Sequence, residues 1–222
     1  MVDIMDINSL IFVAFLLNSF CSTGGHDNIS LLNQSIPIRT VAEVKNSATK
    51  PEARDFVINT FKAINLLSAD PQFKQDDKKM ISFLDSVVDF QWMLKSIVGS
   101  RIWRSMSEID RTQTTLDYVK YLLRNNLTIL TETHDSHLQI RRVSEYRGVG
   151  NSSKYVVEGV IVTADNGTVE AKFKLHYTQD QVLKFYDVVI AGASLLTSSR
   201  IEFRGYLIDN DIIGFKRKLQ EG

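Results

Sequence analysis

The sequence predicts an α+β fold in which helices pack around a curved antiparallel sheet of about four strands. Apolar residues recur with a helical period between residues 50 and 130, alternate with the period of a strand from His137, and return to a helical period after Gly192. Helices on both sides of a run of strands joined by short turns are typical of α+β proteins, whereas α/β proteins alternate the two elements.

The first 49 residues differ from the rest of the chain. Residues 10–17 form an apolar run, which is shorter than the ~20 residues of a membrane span and suits the hydrophobic part of an export signal. We predict a signal peptide over residues 1–23, a polar tether over 24–49 and a single domain over 50–222. Cys21, the one cysteine, lies in the predicted signal. Retention of this segment as an anchor, or lipid modification of Cys21, is the alternative to cleavage.

Four helices are predicted before the sheet. Pro51 suits the first turn of the first helix, and the run around Asp70 ends it. A second helix follows, and a third begins near Asp89 and is predicted to end at Gly99, because glycine is common just after a helix. Residues 107–110 resemble a capping box at the start of a long fourth helix.

The predicted sheet is an antiparallel meander. Residues 155–163 are apolar on both faces, which indicates a central strand. Asp165-Asn166-Gly167 predicts a two-residue hairpin turn, since Asn and Gly accept positive φ. The following strand alternates, with one set of residues predicted to face inward (Val169, Ala171, Phe173, Leu175 and Tyr177) and the other outward (Glu170, Lys172, Lys174 and His176).

The last predicted strand contains an acid, Asp187, and leads directly into a helix. Gly192 ends the strand, Ser194 is a suitable N-cap, and the apolar residues from Leu195 to Ile208 are spaced as one helical stripe. Two interpretations of Asp187 remain open. It pairs with a base such as Arg200 or with backbone N–H groups and fixes the corner between sheet and helix, or it serves as a general base.

Neither the composition nor the motifs of the chain indicate an enzyme or a bound cofactor. Basic and acidic residues number 26 each, so the chain has no net charge and no basic footprint for nucleic acid. His134 and His137 lack a third ligand at zinc spacing, and the four histidines are expected on loops and strand edges. Nothing at motif spacing accompanies Asp187, and a lone acid does not define a mechanism.

Residues 186–195, Tyr-Asp-Val-Val-Ile-Ala-Gly-Ala-Ser-Leu, followed by Arg200 and Phe203, resemble the C-terminal signature of the MlaC family. These are periplasmic phospholipid-binding proteins, also called toluene-tolerance auxiliary proteins. The resemblance covers roughly residues 52–220 in the order of its elements. Leu183 departs from the family pattern, which usually has Trp there. The upstream and downstream matches are Asp89-Phe90, Val98-Gly99, Trp103-Arg104, residues 211–214 and Leu219.

The resemblance implies a cone-shaped sheet with an apolar cavity for the acyl chains of one phospholipid, whose headgroup stays at the mouth. Each buried CH₂ contributes about 0.8 kcal/mol, so such cargo binds without a polar site. It also implies a periplasmic shuttle between an outer-membrane lipoprotein complex and an inner-membrane ABC transporter with its substrate-binding subunit, which maintains outer-membrane lipid asymmetry. We expect a monomer that binds no nucleic acid and no cofactor besides the lipid cargo.

Candidate lining residues are taken from the apolar faces of the third helix, the fourth helix and the strands. Roughly half of them are expected to be ordinary core. They are Phe90, Met93, Ile97, Trp103, Val119, Leu123, Val157, Ile161, Phe173, Leu175, Val188 and Ile190. Two alternatives to a lipid carrier remain: an enzyme of the cone-shaped sheet class that uses Asp187 as base on an apolar substrate, and a transporter adaptor with a filled core.

Overall fold

A computed structural model describes residues 50–70, 72–73, 76–130, 136–148, 153–163, 167–209 and 211–221. The predicted signal peptide and tether lie outside these residues. The predicted α+β class is confirmed. In chain order the elements are α1 (Lys50–Ser68), α2 (Asp77–Val87), α3 (Phe90–Ser105), α4 (Glu108–Leu130), β1 (His137–Arg147), β2 (Ser153–Val162), β3 (Thr168–Tyr177), β4 (Leu183–Ile190), β5 (Ala193–Ser194), α5 (Leu195–Glu202), α6 (Arg204–Ile208) and α7 (Ile212–Gln220).

The described strands form one antiparallel sheet in sequential order, β1-β2-β3-β4-β5. The short β5, which pairs with β4, adds a strand to the four that the sequence predicts. The predicted hairpin between β2 and β3 is confirmed by the pairing of Val162 with Thr168. The Thr163 N–H donates to the Gly167 carbonyl at 3.0 Å, so three residues rather than the predicted two separate the bonded positions. Those residues, 164–166, lie outside the described residues.

Two irregularities in the strand pairing bend the sheet. One lies in β1 between Ile140 and Arg142, where it faces β2. The other lies where β3 faces β4, with Lys174 opposite Asp187 and Leu175 opposite Phe185. An extra residue on one strand kinks it and increases its local twist. The second irregularity therefore shapes β4 next to its acid.

The predicted helix starts are confirmed by their caps. Asp89 accepts a hydrogen bond from the Trp92 N–H at 2.9 Å, and Ser194 accepts one from the Thr197 N–H at 3.1 Å. Ser107 accepts from the Asp110 N–H at 3.1 Å at the start of α4. These side chains satisfy backbone donors that a helix end leaves free.

Of two predicted helix ends, one is confirmed and one is wrong. The helix that begins at Phe90 ends at Gly99 as predicted, since Gly99 has non-helical φ +83° and ψ 158°; after this kink a second helical segment, not predicted, runs to Ser105 and buries Ile102 and Trp103. The stripe after Ser194 is not one helix. Phe203 interrupts it with φ −89° and ψ 1° and is completely buried, while Ile208 beyond it is 63% exposed.

Buried apolar side chains form two clusters. The helical cluster joins α3, α4, α5 and α7, with Phe203 and Phe215 among its largest fully buried side chains. The sheet cluster lies between α1 and β2, β3 and β4. The junction of α2 and α3 links the two, since Val88 forms a parallel bridge with Phe185 and the Asp89 N–H donates to the Phe185 carbonyl at 2.8 Å.

His176 contradicts the prediction of an outward, exposed histidine. It is 6% exposed, and its Nε2 lies 2.9 Å from Oδ2 of Asp89. Its ring packs against Trp92 and Tyr186 at centroid distances of 5.3 and 5.1 Å. The alternation of β3 places His176 opposite the inward residues, but the first turn of α3 covers that part of the sheet.

Candidate functional site

An apolar cavity of about 120 Å³ lies where the helical cluster meets the sheet cluster. Its lining comes from α1 to α5 and from β3 and β4. Thr60 and Asp187 are its polar lining residues, and the rest are aliphatic, Met or Phe. The lining comprises Val57, Thr60, Phe61, Ile64, Leu84, Val87, Val88, Phe90, Met93, Val119, Leu122, Leu123, Phe173, Phe185, Asp187, Val188, Ile190 and Leu195.

Helical spacing explains how α1 reaches the cavity. Val57, Thr60, Phe61 and Ile64 stand at positions i, i+3, i+4 and i+7, which share one face of a helix. The same face packs on the sheet cluster through Val57 and Phe61. α1 therefore forms one wall of the cavity, while α3 and α4 supply side chains from the helical cluster.

Of the lining residues that the sequence predicts, some line the cavity and others pack elsewhere in the core. Phe90, Met93, Val119, Leu123, Phe173, Val188 and Ile190 line it. Ile97 and Trp103 lie instead in the helical cluster, where the Arg111 guanidinium stacks 5.4 Å from the Trp103 ring centroid. Val157, Ile161 and Leu175 lie in the sheet cluster, away from the cavity lining.

Several lining residues were not among the candidates. They come mainly from α1 and from the end of α2, and the apolar periods of both helices were visible in the sequence. Helical period identifies the buried face of α1 but not what that face meets. The missed lining residues are Val57, Thr60, Phe61, Ile64, Leu84, Val87, Val88, Leu122, Phe185 and Leu195, together with Asp187, which was considered only as a structural or catalytic acid.

Asp187 has a partner for each carboxylate oxygen. Oδ2 accepts from Lys174 Nζ at 2.8 Å, the Ser194 hydroxyl reaches both oxygens at 3.0 and 2.8 Å, and the Leu196 N–H donates to Oδ1 at 3.1 Å. The predicted base, Arg200, is not its partner, because Arg200 donates to the Ser96 carbonyl at 3.0 Å. The carboxylate ties β3, β4 and the start of α5 together.

A second polar cluster lies beside the cavity wall and involves Asp89. Burial alone would raise the pKa of Asp89, but hydrogen bonds from His176 and from the Trp92 N–H outweigh burial and hold the pKa below its usual value. Lys154 lies over the rings of Trp92 and Tyr186, at 5.1 and 4.9 Å from their centroids. This cluster fastens the first turn of α3 to the sheet.

The cavity is small in this conformation. Pockets for small ligands usually measure roughly 300–1,000 Å³, and an engineered dry cavity of about 150 Å³ holds one benzene. At about 120 Å³ the cavity accommodates only part of a long aliphatic chain. Side chains or elements around it must move apart before a larger apolar molecule fits.

The described part of the chain lacks two further kinds of feature. No group of His, Cys, Asp and Glu residues there is arranged to hold a metal ion. None of the helices described has the length and apolar character needed to cross a bilayer.

The fold and the cavity define an α+β protein in which an apolar cavity lies between the helices and an open antiparallel sheet. The family model described as "MlaC protein" matches residues 54–221, so the chain belongs to the MlaC family. The resemblance found in the sequence is thereby confirmed.

Comparison with solved structures shows the same fold. A phospholipid-binding protein from Ralstonia solanacearum, solved in complex with a phospholipid, superposes with a TM-score of 0.62 at 15% sequence identity. The match covers 79% of this chain and 96% of that chain. A comparison with curated proteins finds no match.

Proposed function

We propose that this protein binds a phospholipid through its acyl chains and carries it through the periplasm. The observation that carries the proposal is the cavity between the two clusters, whose lining is apolar apart from Thr60 and Asp187. Membership of the MlaC family and the fold shared with the Ralstonia solanacearum phospholipid-binding protein support it.

The energetics of the cavity suit acyl chains. Each CH₂ removed from water contributes about 0.8 kcal/mol, so a chain of many CH₂ groups binds firmly without directional contacts. Asp187 is the charged lining residue, and its oxygens already accept from Lys174, Ser194 and Leu196. A polar headgroup therefore finds no unpaired charge in the lining and remains on the solvent side.

The opening is proposed to lie beside α2. Leu84, Val87 and Val88, at the end of α2, are lining residues that are only partly buried, and so is Ile64 on α1. Met80 is the buried residue of α2, and the Lys184 ammonium bonds the Asp85 carbonyl near its end. Because α2 is held by few buried side chains, its displacement is the simplest way to enlarge the cavity.

The proposed route runs between two membranes. Cargo would pass between an outer-membrane lipoprotein complex and an inner-membrane ABC transporter with its substrate-binding subunit, with the protein acting as a monomer that needs no cofactor. Export to the periplasm through residues 1–23 is part of this proposal. When the full chain is expressed in bacterial cells, release of the protein by osmotic shock supports the proposal, and retention in the cytoplasm contradicts it.

The two alternatives fit the structure less well. A general base needs an oxygen that faces substrate, whereas those of Asp187 accept from Lys174, Ser194 and Leu196. An adaptor with a filled core does not explain the cavity. We therefore propose a binding and transport protein rather than an enzyme.

Lipid transfer between vesicles tests the proposal. Donor vesicles carry a self-quenched fluorescent phospholipid, acceptor vesicles carry none, and the protein is expected to speed the rise in fluorescence. Leu123→Glu places a charge in the cavity lining and is expected to abolish transfer, while Leu66→Glu on the 75% exposed Leu66 of α1 serves as the matched control. Equal transfer by both variants, or no transfer by the wild type, contradicts the proposal.

A further inference from the structure

The two polar residues that line the cavity differ in how their side chains are used. The Asp187 oxygens accept from Lys174, Ser194 and Leu196. The Thr60 hydroxyl has no hydrogen-bond partner within the described residues, although Thr60 is only 7% exposed and lines the cavity. Thr60 therefore brings an unused hydrogen-bonding group into an otherwise apolar wall.

Two threonines of α4 use their hydroxyls differently from Thr60. Thr112 and Thr115 on α4 donate to the carbonyls of Glu108 and Arg111, four residues earlier, at 3.0 and 2.7 Å. This bond is the usual way in which a threonine inside a helix satisfies its hydroxyl. Since Thr60 makes no such bond in the described part of the chain, its hydroxyl is available to a molecule in the cavity.

Water is a poor partner for this hydroxyl. A buried water needs about two to four polar partners, and an apolar cavity without them stays dry. The Thr60 hydroxyl is the one group that the described lining offers, because the Asp187 oxygens are already engaged. A buried hydroxyl without a hydrogen bond costs free energy. A hydrogen bond from this hydroxyl to the cargo is the simplest way to remove that cost.

The position of Thr60 along α1 indicates which part of a lipid it meets. Val57, one turn before it, is 1% exposed, and Ile64, one turn after it, is partly exposed. One turn of helix rises about 5.4 Å. Thr60 thus lies between the inner wall of the cavity and its more exposed side. When acyl chains occupy the inner part, the polar part of the lipid lies near this position.

We propose that Thr60 is a positioning residue that donates a hydrogen bond to an ester carbonyl of the cargo, and so favours diacyl ester lipids over dialkyl ether lipids. The proposal rests on the proposed phospholipid binding and adds a chemical selectivity to it. In an ester lipid the carbonyl oxygen sits where the acyl chain joins glycerol. An ether lipid of the same length places CH₂ there and leaves the Thr60 hydroxyl unpaired.

A loading competition tests the proposal. Full-length protein is incubated with vesicles that contain equal amounts of dipalmitoyl phosphatidylethanolamine and its dihexadecyl ether analogue, and native mass spectrometry measures the ratio of the two lipids bound. The wild type is expected to prefer the ester by roughly two- to ten-fold, as one net hydrogen bond gives. Thr60→Val, which replaces the hydroxyl by a methyl group, is expected to bring the ratio close to one while lipid still loads.

Two further variants complete the experiment. Thr60→Ser keeps a hydroxyl and is expected to retain the preference. Thr112→Val removes a hydroxyl on α4 that bonds Glu108 outside the cavity, and is expected to keep the wild-type ratio. Equal loading of ester and ether by the wild type overturns the inference and leaves the proposed lipid binding intact. A preference that survives in Thr60→Val overturns it too, whereas a wild type that loads neither lipid contradicts the proposed function itself.

Discussion

Asp187 stabilises the corner between sheet and helix, and its effect on stability is measurable. It is 2% exposed and pairs with Lys174, whose side chain is 31% exposed. Removal of one partner of a buried ion pair costs about 3–5 kcal/mol, and the partial exposure of Lys174 favours the lower end of that range. We expect Asp187→Asn to lower the free energy of unfolding by about 3 kcal/mol in urea titrations.

Glu158 provides the matched control for Asp187. It pairs with Arg142 and Lys172, whose side chains are largely exposed. Such surface ion pairs contribute about 0–1 kcal/mol, so Glu158→Gln is expected to change stability little. A free energy of unfolding for Asp187→Asn equal to that of the wild type would show that the acid is not structural.

The stability contributed by Asp89 is expected to depend on pH. Its pKa in the folded protein lies below the unfolded value of about 3.9. A carboxyl with a lowered pKa stabilises the fold fully above the unfolded pKa and loses this contribution as the pH falls through the folded pKa. The difference in unfolding free energy between wild type and Asp89→Asn is therefore expected to shrink as the pH falls below about 4. A difference that grows as the pH falls would contradict this account.

The contacts of a single residue could be predicted from the sequence where the interaction is local. The caps Asp89, Ser107 and Ser194 bond N–H groups three residues away, so sequence spacing is sufficient. The partner of Asp187 was not predictable, because Lys174 comes opposite it only through the irregular pairing of β3 and β4. The burial of His176 was also missed, since it depends on where α3 lies.

The bend in α3 depends on Gly99, and two glycine substitutions separate backbone strain from crowding. A Cβ on Gly99 would meet no atom within 4 Å, but φ is +83° and ψ is 158°, a region that is essentially restricted to glycine. We expect Gly99→Ala to lower the unfolding free energy by about 1–3 kcal/mol. Gly205 in α6 also has open space around it and no positive φ, so Gly205→Ala is expected to be neutral or slightly stabilising. Equal effects of the two substitutions in thermal unfolding would refute the role of strain.

α2 is expected to respond to cargo more than any other described helix of the cavity wall. It is short, and Met80 is its buried residue, whereas α3 buries residues along its length. Helices with few buried side chains open locally at low cost. Hydrogen exchange of the α2 amides should be fast in lipid-free protein and slow down on loading, with α3 changing less. Unchanged exchange in α2 on loading would exclude it as the border of the opening.

Periodicity predicted the elements but not their division between core and cavity. Met93 and Ile97 are one helical turn apart on the same buried face of α3, yet Met93 lines the cavity and Ile97 packs in the helical cluster. A sequence pattern shows that a face is buried, and only the packing of the opposite element shows whether the space is filled. The second helical segment of α3, after Gly99, was missed for a similar reason, because the burial of Trp103 depends on distant elements of the helical cluster.

At the scale of the whole molecule, the cavity arises because two clusters meet without filling the space between them. α1 and the sheet bury one cluster, the remaining helices bury the other, and the bridge between Val88 and Phe185 holds them together. The α+β order and the family were predictable from the sequence, since both depend on the succession of elements and on residues 186–195. The place of the cavity depends on contacts between distant parts of the chain.

The most direct test is native mass spectrometry of the full chain purified from bacterial cells without detergent, followed by lipid extraction. The account predicts about one diacyl phospholipid per protein, and none in Leu123→Glu, whose folding is checked by circular dichroism. Protein that is empty as purified and takes up no phospholipid from vesicles would contradict the central claim that the cavity holds acyl chains.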